Sequence, residues 1–181
     1  MLFNSLDFAI FLPIVFLAYW FLTQKSLKVQ NLLIVIASYV FYGWWDWRFL
    51  SLILFSTLVD YTIGLSMAKS TSQRLRKRLL WCSILVNLGF LGVFKYYNFF
   101  LDNFVSAFSF FGSPIEASSL DIILPVGISF YTFQTLSYTI DIYRNKLQPT
   151  SDFVAFAAFV SFFPQLVAGP IERATNLLPQ F

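Results

Sequence analysis

The residues best able to do chemistry in this chain are few, and most lie inside apolar runs. Asp60 sits near the middle of residues 49–68. A carboxylate at that depth must face protein or water rather than lipid. Ser56, Asp60 and Gly64 recur at i, i+4 and i+8, so they share one helical face, with Thr57 and Tyr61 beside them. A buried acid of this kind either contacts an ion, a proton or a substrate, or ties neighbouring helices together by hydrogen bonds; the spacing serves both. A second polar stripe, Gln134, Ser137 and Asp141 with Thr135 and Tyr138 adjacent, lies within residues 122–143. It is expected to point into the protein, with Gln134 and Tyr138 as candidates for lining a cavity. Pro164, Gln165 and Gly169 form a third group. Prolines 164 and 170 remove amide donors and glycine permits close backbone approach. Residues 164–171 are therefore expected to leave the helix and line a cavity, because irregular backbone at membrane depth needs protein or water around it.

The missing chemistry is equally informative. The chain has no histidine, the commonest general base and metal ligand. Its one cysteine, Cys82, makes neither a disulfide framework nor a zinc site, and is expected to be a small buried apolar residue. There is no phosphate-binding loop, dinucleotide fingerprint, nucleophile elbow or metal-ligand spacing, so neither a metal nor a bound cofactor is expected. The net charge of +3 is small, and no run interleaves basic and aromatic residues on a solvated face, which argues against nucleic acid.

The elements that must position these residues follow from composition. The chain is 58% hydrophobic, 21% aromatic and 12% charged, with 24 phenylalanines. Soluble domains carry roughly 45–50% apolar and about 25% charged residues. An all-α, polytopic membrane bundle forming one membrane domain over residues 1–181 is predicted. Spans need ~17–25 apolar residues, and six runs qualify or nearly so: 6–22, 31–45, 49–68, 79–97, 122–143 and 153–169. Pro13 should kink the first. Trp44, Trp45 and Trp47 mark an interface, with Gly43 suited to a helix C-cap. Beyond Tyr97, Asn98, Asp102, Ser106 and Ser109 share a polar face opposite phenylalanines, the pattern of an interfacial helix. A loop is expected at 112–121, and Pro125 and Gly127 suit the start of the fifth helix.

If each run crosses once, Lys25, Lys28, Lys69, Arg74, Arg76, Lys77, Arg78, Arg144 and Lys146 fall on one side, and Arg48, Lys95 and Arg173 on the other. Positive charge marks the cytoplasmic side, which places the N-terminus outside.

Three stretches carry a resemblance. They are Ser38-Tyr39-Val40-Phe41-Tyr42-Gly43-Trp44-Trp45-Asp46-Trp47-Arg48-Phe49-Leu50, preceded by Gln30-Asn31; Leu124-Pro125-Val126-Gly127-Ile128-Ser129-Phe130-Tyr131-Thr132-Phe133-Gln134; and Phe162-Phe163-Pro164-Gln165-Leu166-Val167-Ala168-Gly169-Pro170-Ile171. With the opening Met1-Leu2-Phe3-Asn4-Ser5, they resemble the membrane-bound O-acyltransferases, in the branch of the bacterial alginate O-acetyltransferase membrane subunit. The resemblance implies a multi-helix enzyme of the bacterial inner membrane. Such an enzyme takes an acetyl or other acyl group from a cytoplasmic donor, acetyl-CoA or another acyl carrier, and passes it to an extracytoplasmic acceptor, a protein or an exopolysaccharide. The family's catalytic residue is a histidine, which this chain lacks. The resemblance therefore implies an incomplete, N-terminal part of such a protein, with no catalytic residue of its own. Two alternatives remain: a transporter or flippase subunit, suggested by Pro125, Pro164 and Asp60, and a non-catalytic membrane scaffold.

Overall fold

The computed structural model describes residues 1, 3–23, 26–110 and 127–181, and every regular element among them is helical. The loop expected at 112–121, the proline at 125 and Lys25 lie outside the described residues. Among the described residues three helices are long and apolar enough to cross a membrane, over Leu27–Trp44, Arg48–Lys69 and Gln73–Ala107.

Helix α1 (Leu6–Leu17) is capped by Ser5, whose hydroxyl accepts from the Phe8 amide at 3.2 Å. It runs on through Pro13, and the irregularity comes later, as a π turn at Ala18–Leu22. Helix α2 (Leu27–Asp46) is longer than expected and continues through Gly43, so that glycine is not its cap. The cap chemistry lies four residues on. Arg48 donates its backbone N–H to Asp46 Oδ1 at 2.9 Å and its guanidinium to both oxygens at 2.6–3.0 Å. These bonds, side chain first, hold the Asp46 carboxyl below the usual carboxylate range. They also fix a one-residue turn at Trp47, from which α3 (Arg48–Lys69) returns antiparallel.

Helix α4 (Gln73–Leu91) passes through a π turn, Gly92–Tyr96, into α5 (Tyr97–Phe110), so residues 73–110 stay helical throughout. Helix α6 (Ile128–Tyr143) starts from Gly127 at φ +76°, a left-handed conformation that glycine adopts without strain. Arg76 in the first turn of α4 donates to the carbonyls of Ile142 and Tyr143 at 2.8 and 3.1 Å and to Asn145 Oδ1 at 2.7 Å. One guanidinium thus caps the C-terminus of α6 and aligns it with the start of α4. At the opposite end Lys95 Nζ donates to Ser129 Oγ at 3.1 Å.

The sixth apolar run does not go from end to end. Asp152 caps α7 (Phe153–Ser161), accepting from the amides of Val154 and Ala155 at 2.9 and 3.2 Å. Nine residues make about 13.5 Å, less than half of the ~30 Å hydrocarbon layer. The chain then breaks at Phe162, where Ser38 Oγ of α2 accepts the freed Phe163 amide at 3.3 Å. It turns into α8 (Phe163–Ala168), with Pro164 in its first turn, where a missing N–H costs nothing. From Gly169 it doubles back. The Ala174 amide donates to Ser137 Oγ at 3.2 Å, and α9 (Ala174–Leu177) packs against α6. Arg173 thereby lies beside Asp141 and Arg144, not at the far end, where a sixth crossing would have placed it. With this correction, nine of the eleven described Lys and Arg residues gather at one end, and only Arg48 and Lys95 lie at the other.

The outer faces are apolar. Leu32, Ile36 and Val40 of α2, Phe55 and Leu58 of α3 and Trp81, Leu85 and Leu88 of α4 are all exposed; lipid covers such a surface and water does not. Cys82 is exposed among them, contrary to expectation, because Ser83 and Asn87 take the inward face of α4. A topology test follows. In a Cys82→Ser background, cysteines at exposed Ser72 and Asn176 should react with an impermeant maleimide from one side of the membrane, and a cysteine at Trp47 from the other. Reaction of position 176 together with position 47 would remove the doubled-back segment.

Candidate functional site

Asp60 is fully buried between α3, α4 and α6. Ser83 Oγ donates to its Oδ1 at 2.6 Å, and Asn87 Nδ2 donates to its Oδ2 at 2.7 Å. The second proton of Asn87 Nδ2 goes to the Ser83 carbonyl at 3.0 Å. Asn87 Oδ1 accepts from Ser56 Oγ and Thr135 Oγ1, each at 3.0 Å. Thr139 Oγ1 lies 3.0 Å from Ser83 Oγ. The single Ser83 hydroxyl proton is committed to Asp60, and the Thr139 hydroxyl also reaches the carbonyls of Thr135 and Leu136 at 3.3 and 3.2 Å. Two donors, Ser83 Oγ and Asn87 Nδ2, therefore end on the Asp60 carboxylate, and Asn87 uses its full hydrogen-bonding capacity. The only ion pair among the described residues is Asp46–Arg48, so neutral donors alone hold Asp60. Ser83, Asn87 and Thr139 escaped the sequence reading. The signal was Ser83 and Asn87 four residues apart in an otherwise apolar run.

One turn further along α3, a Cβ on Gly64 would fall 2.6–3.0 Å from the Tyr138 ring. Gly64 therefore lets the hydroxyl end of that fully buried ring approach the α3 backbone closely, with the Phe156 ring 4.5 Å away. Tyr138 thus joins α3, α6 and α7.

Gln134 and Gln165 meet. Gln134 Nε2 donates to Gln165 Oε1 at 2.7 Å, and Gln165 Nε2 donates to the Pro170 carbonyl at 2.8 Å. The pair pins the doubled-back segment to α6. Pro164, Gln165, Gly169 and Pro170 border a shallow cavity of about 260 Å³. On the inner side of α8, the Tyr42 and Tyr131 hydroxyls and Gln134 Oε1 are buried and have no partner among the described residues. A Cβ on Gly127 would come within 3.2 Å of the Tyr42 hydroxyl and 3.1 Å of the Leu166 carbonyl. Two buried hydroxyls and an amide oxygen thus gather beside α8 without a hydrogen-bond partner among the described residues. The structure brings Gln134, Gln165 and Gly169 together, while Asp60 and Tyr138 belong to a separate buried layer. No cluster among the described residues could hold a metal ion.

These features define a helical membrane bundle with an internal polar layer and a broken segment turned back into it. The chain is 44% identical over its whole length to "Probable alginate O-acetylase AlgI" of Pseudomonas aeruginosa, matching 34% of that protein. It is 42% identical to the protein of the same name from Azotobacter vinelandii, again over its whole length and 36% of the relative. It is 34% identical to the "Peptidoglycan O-acetyltransferase" of Helicobacter pylori, over its whole length and 38% of that protein. This similarity over the whole chain agrees with the resemblance to the membrane-bound O-acyltransferases of the alginate O-acetylase branch. The chain spans about a third of the length of the curated relatives it matches. No family profile matches it, and no solved structure does.

Proposed function

We propose that this chain is the N-terminal helical scaffold of a membrane O-acetyltransferase. In this reading the complete protein takes an acetyl group from a cytoplasmic donor, acetyl-CoA or another acyl carrier, and delivers it to a hydroxyl of an extracytoplasmic polysaccharide such as alginate. The observation that carries the proposal is the 44% identity over the whole chain to an alginate O-acetylase. The basic end is the cytoplasmic one, so the N-terminus lies outside the inner membrane and the turn at Trp47 faces the acceptor. The unpartnered Tyr42, Tyr131 and Gln134 groups form part of the wall along which the acyl group passes. Transfer to a hydroxyl needs a base for its proton, worth ~10²–10⁴ in rate when positioned. Asp60 is enclosed and already engaged at both oxygens, so it holds helices together and the base comes from the rest of the protein. A transporter shares the broken, doubled-back helix, and the test must separate the two.

A chimera supplies it. Residues 1–181 replace the matching third of the Pseudomonas aeruginosa relative in a strain lacking that relative, and alkali-labile acetate on the secreted polysaccharide is measured. The chimera should restore O-acetyl esters, and the 181-residue chain alone should not. Polysaccharide that is secreted only with the chimera but stays unacetylated would favour a transporter.

A further inference from the structure

The face of α6 turned toward α4 carries charges that no described residue neutralises. Asp141 is 5% exposed, yet among the described residues its carboxylate has neither an ion pair nor a hydrogen bond. Arg144 and Arg173 open onto the same cavity, of about 490 Å³. Neither guanidinium pairs with Asp141 or with any other described group. Asp141 sits in the last turn of α6 and Arg144 follows it. Arg173 arrives by the doubled-back segment, anchored by the bond from the Ala174 amide to Ser137. Below these charges the cavity becomes a groove walled by Ile84 and Leu88 of α4 and Phe133 and Ile140 of α6. From Arg144 to Phe133 the helix covers about 16 Å, roughly half of the hydrocarbon layer.

Charged groups at the edge of a membrane are paired or hydrated. Two guanidiniums and one carboxylate, unpaired among the described residues and beside an apolar groove, match a zwitterionic amphiphile. A phosphate fits the arginines, which bind such oxygens bidentately; a primary ammonium fits the carboxylate; an acyl chain fits the groove. We propose that this cavity binds one molecule of a phosphatidylethanolamine-type phospholipid from the leaflet at the basic end. A phosphatidylglycerol would serve the arginines but leave Asp141 unpaired. A phosphatidylcholine carries a quaternary ammonium with no N–H to donate. The inference does not depend on acyl transfer.

The test places the 181-residue chain in nanodiscs of phosphatidylethanolamine, phosphatidylglycerol and phosphatidylcholine in equal parts. The protein is then extracted in mild detergent, and the retained lipid is identified by native mass spectrometry. One phosphatidylethanolamine should be retained, about tenfold over either competitor. Asp141→Asn keeps the side chain's shape and should abolish the preference over phosphatidylglycerol. The double variant Arg144→Ala/Arg173→Ala should reduce retention of both lipids by about tenfold or more, with helicity by circular dichroism unchanged. Equal retention of phosphatidylglycerol by the unaltered chain, no retained lipid, or retention indifferent to both variants would overturn the proposal. Displacement of the lipid by coenzyme A would assign the cavity to an acyl donor and also overturn it.

Discussion

Asn87→Leu is expected to destabilise the folded chain by about 3 kcal/mol or more, because it leaves several buried polar groups without a hydrogen-bond partner. Asn87 gives Asp60 one of its two donors and receives the hydroxyls of Ser56 and Thr135. Leucine fills the same space but supplies none of these bonds. Three polar groups on two other helices lose a partner at once, each at ~1–3 kcal/mol when left unsatisfied. Ser83→Ala removes the other donor to Asp60 and should cost less, because Asn87 still holds the carboxylate. Cys82→Ser, next in sequence but on the lipid-exposed side, should change little. Reversible unfolding in mixed micelles, followed by circular dichroism, gives the order. A midpoint for Asn87→Leu equal to that of Cys82→Ser would mean that the polar layer does not hold α3, α4 and α6 together.

How much of this was legible in the sequence differs from element to element. The inward face of α3 was legible because Ser56, Asp60 and Gly64 repeat at helical spacing in a run with few other polar residues. Its partners on α4 were not, because serine and asparagine in an apolar run also occur as isolated polar residues, and only the packing of α4 on α3 distinguishes the cases. Cys82 was misplaced for the same reason: an apolar helix in lipid has no polar outer face to betray its orientation. Proline and glycine chemistry made a break near Pro164 legible, but it falls at Phe162, and residues 163–168, expected to be irregular, are helical. The direction taken after it was not legible, since a run of seventeen apolar residues satisfies the length of a crossing whether or not it crosses. The deciding contacts, Phe163 with Ser38 and Ala174 with Ser137, join residues 125 and 37 positions apart, beyond any local pattern. Gly43 was assigned to a cap on residue type alone, whereas the α2–α3 turn is fixed by Asp46 and Arg48.

The second large effect concerns catalysis, and it tests the account most directly. The chimera described above, its histidine-to-alanine variants and the 181-residue chain alone are each reconstituted into vesicles. Labelled acetyl donor is supplied on the side of the basic end and polysaccharide acceptor on the other, and ester formation is counted. The account predicts transfer by the chimera only, lost when the base from the remaining two thirds is removed; a positioned base carries ~10²–10⁴ of the rate. Gln134→Leu should weaken transfer without unfolding the bundle, because it cuts the bond to Gln165 while the polar layer around Asp60 stays intact. Transfer by the 181-residue chain alone, abolished by Asp60→Asn, would contradict the account and make Asp60 the base.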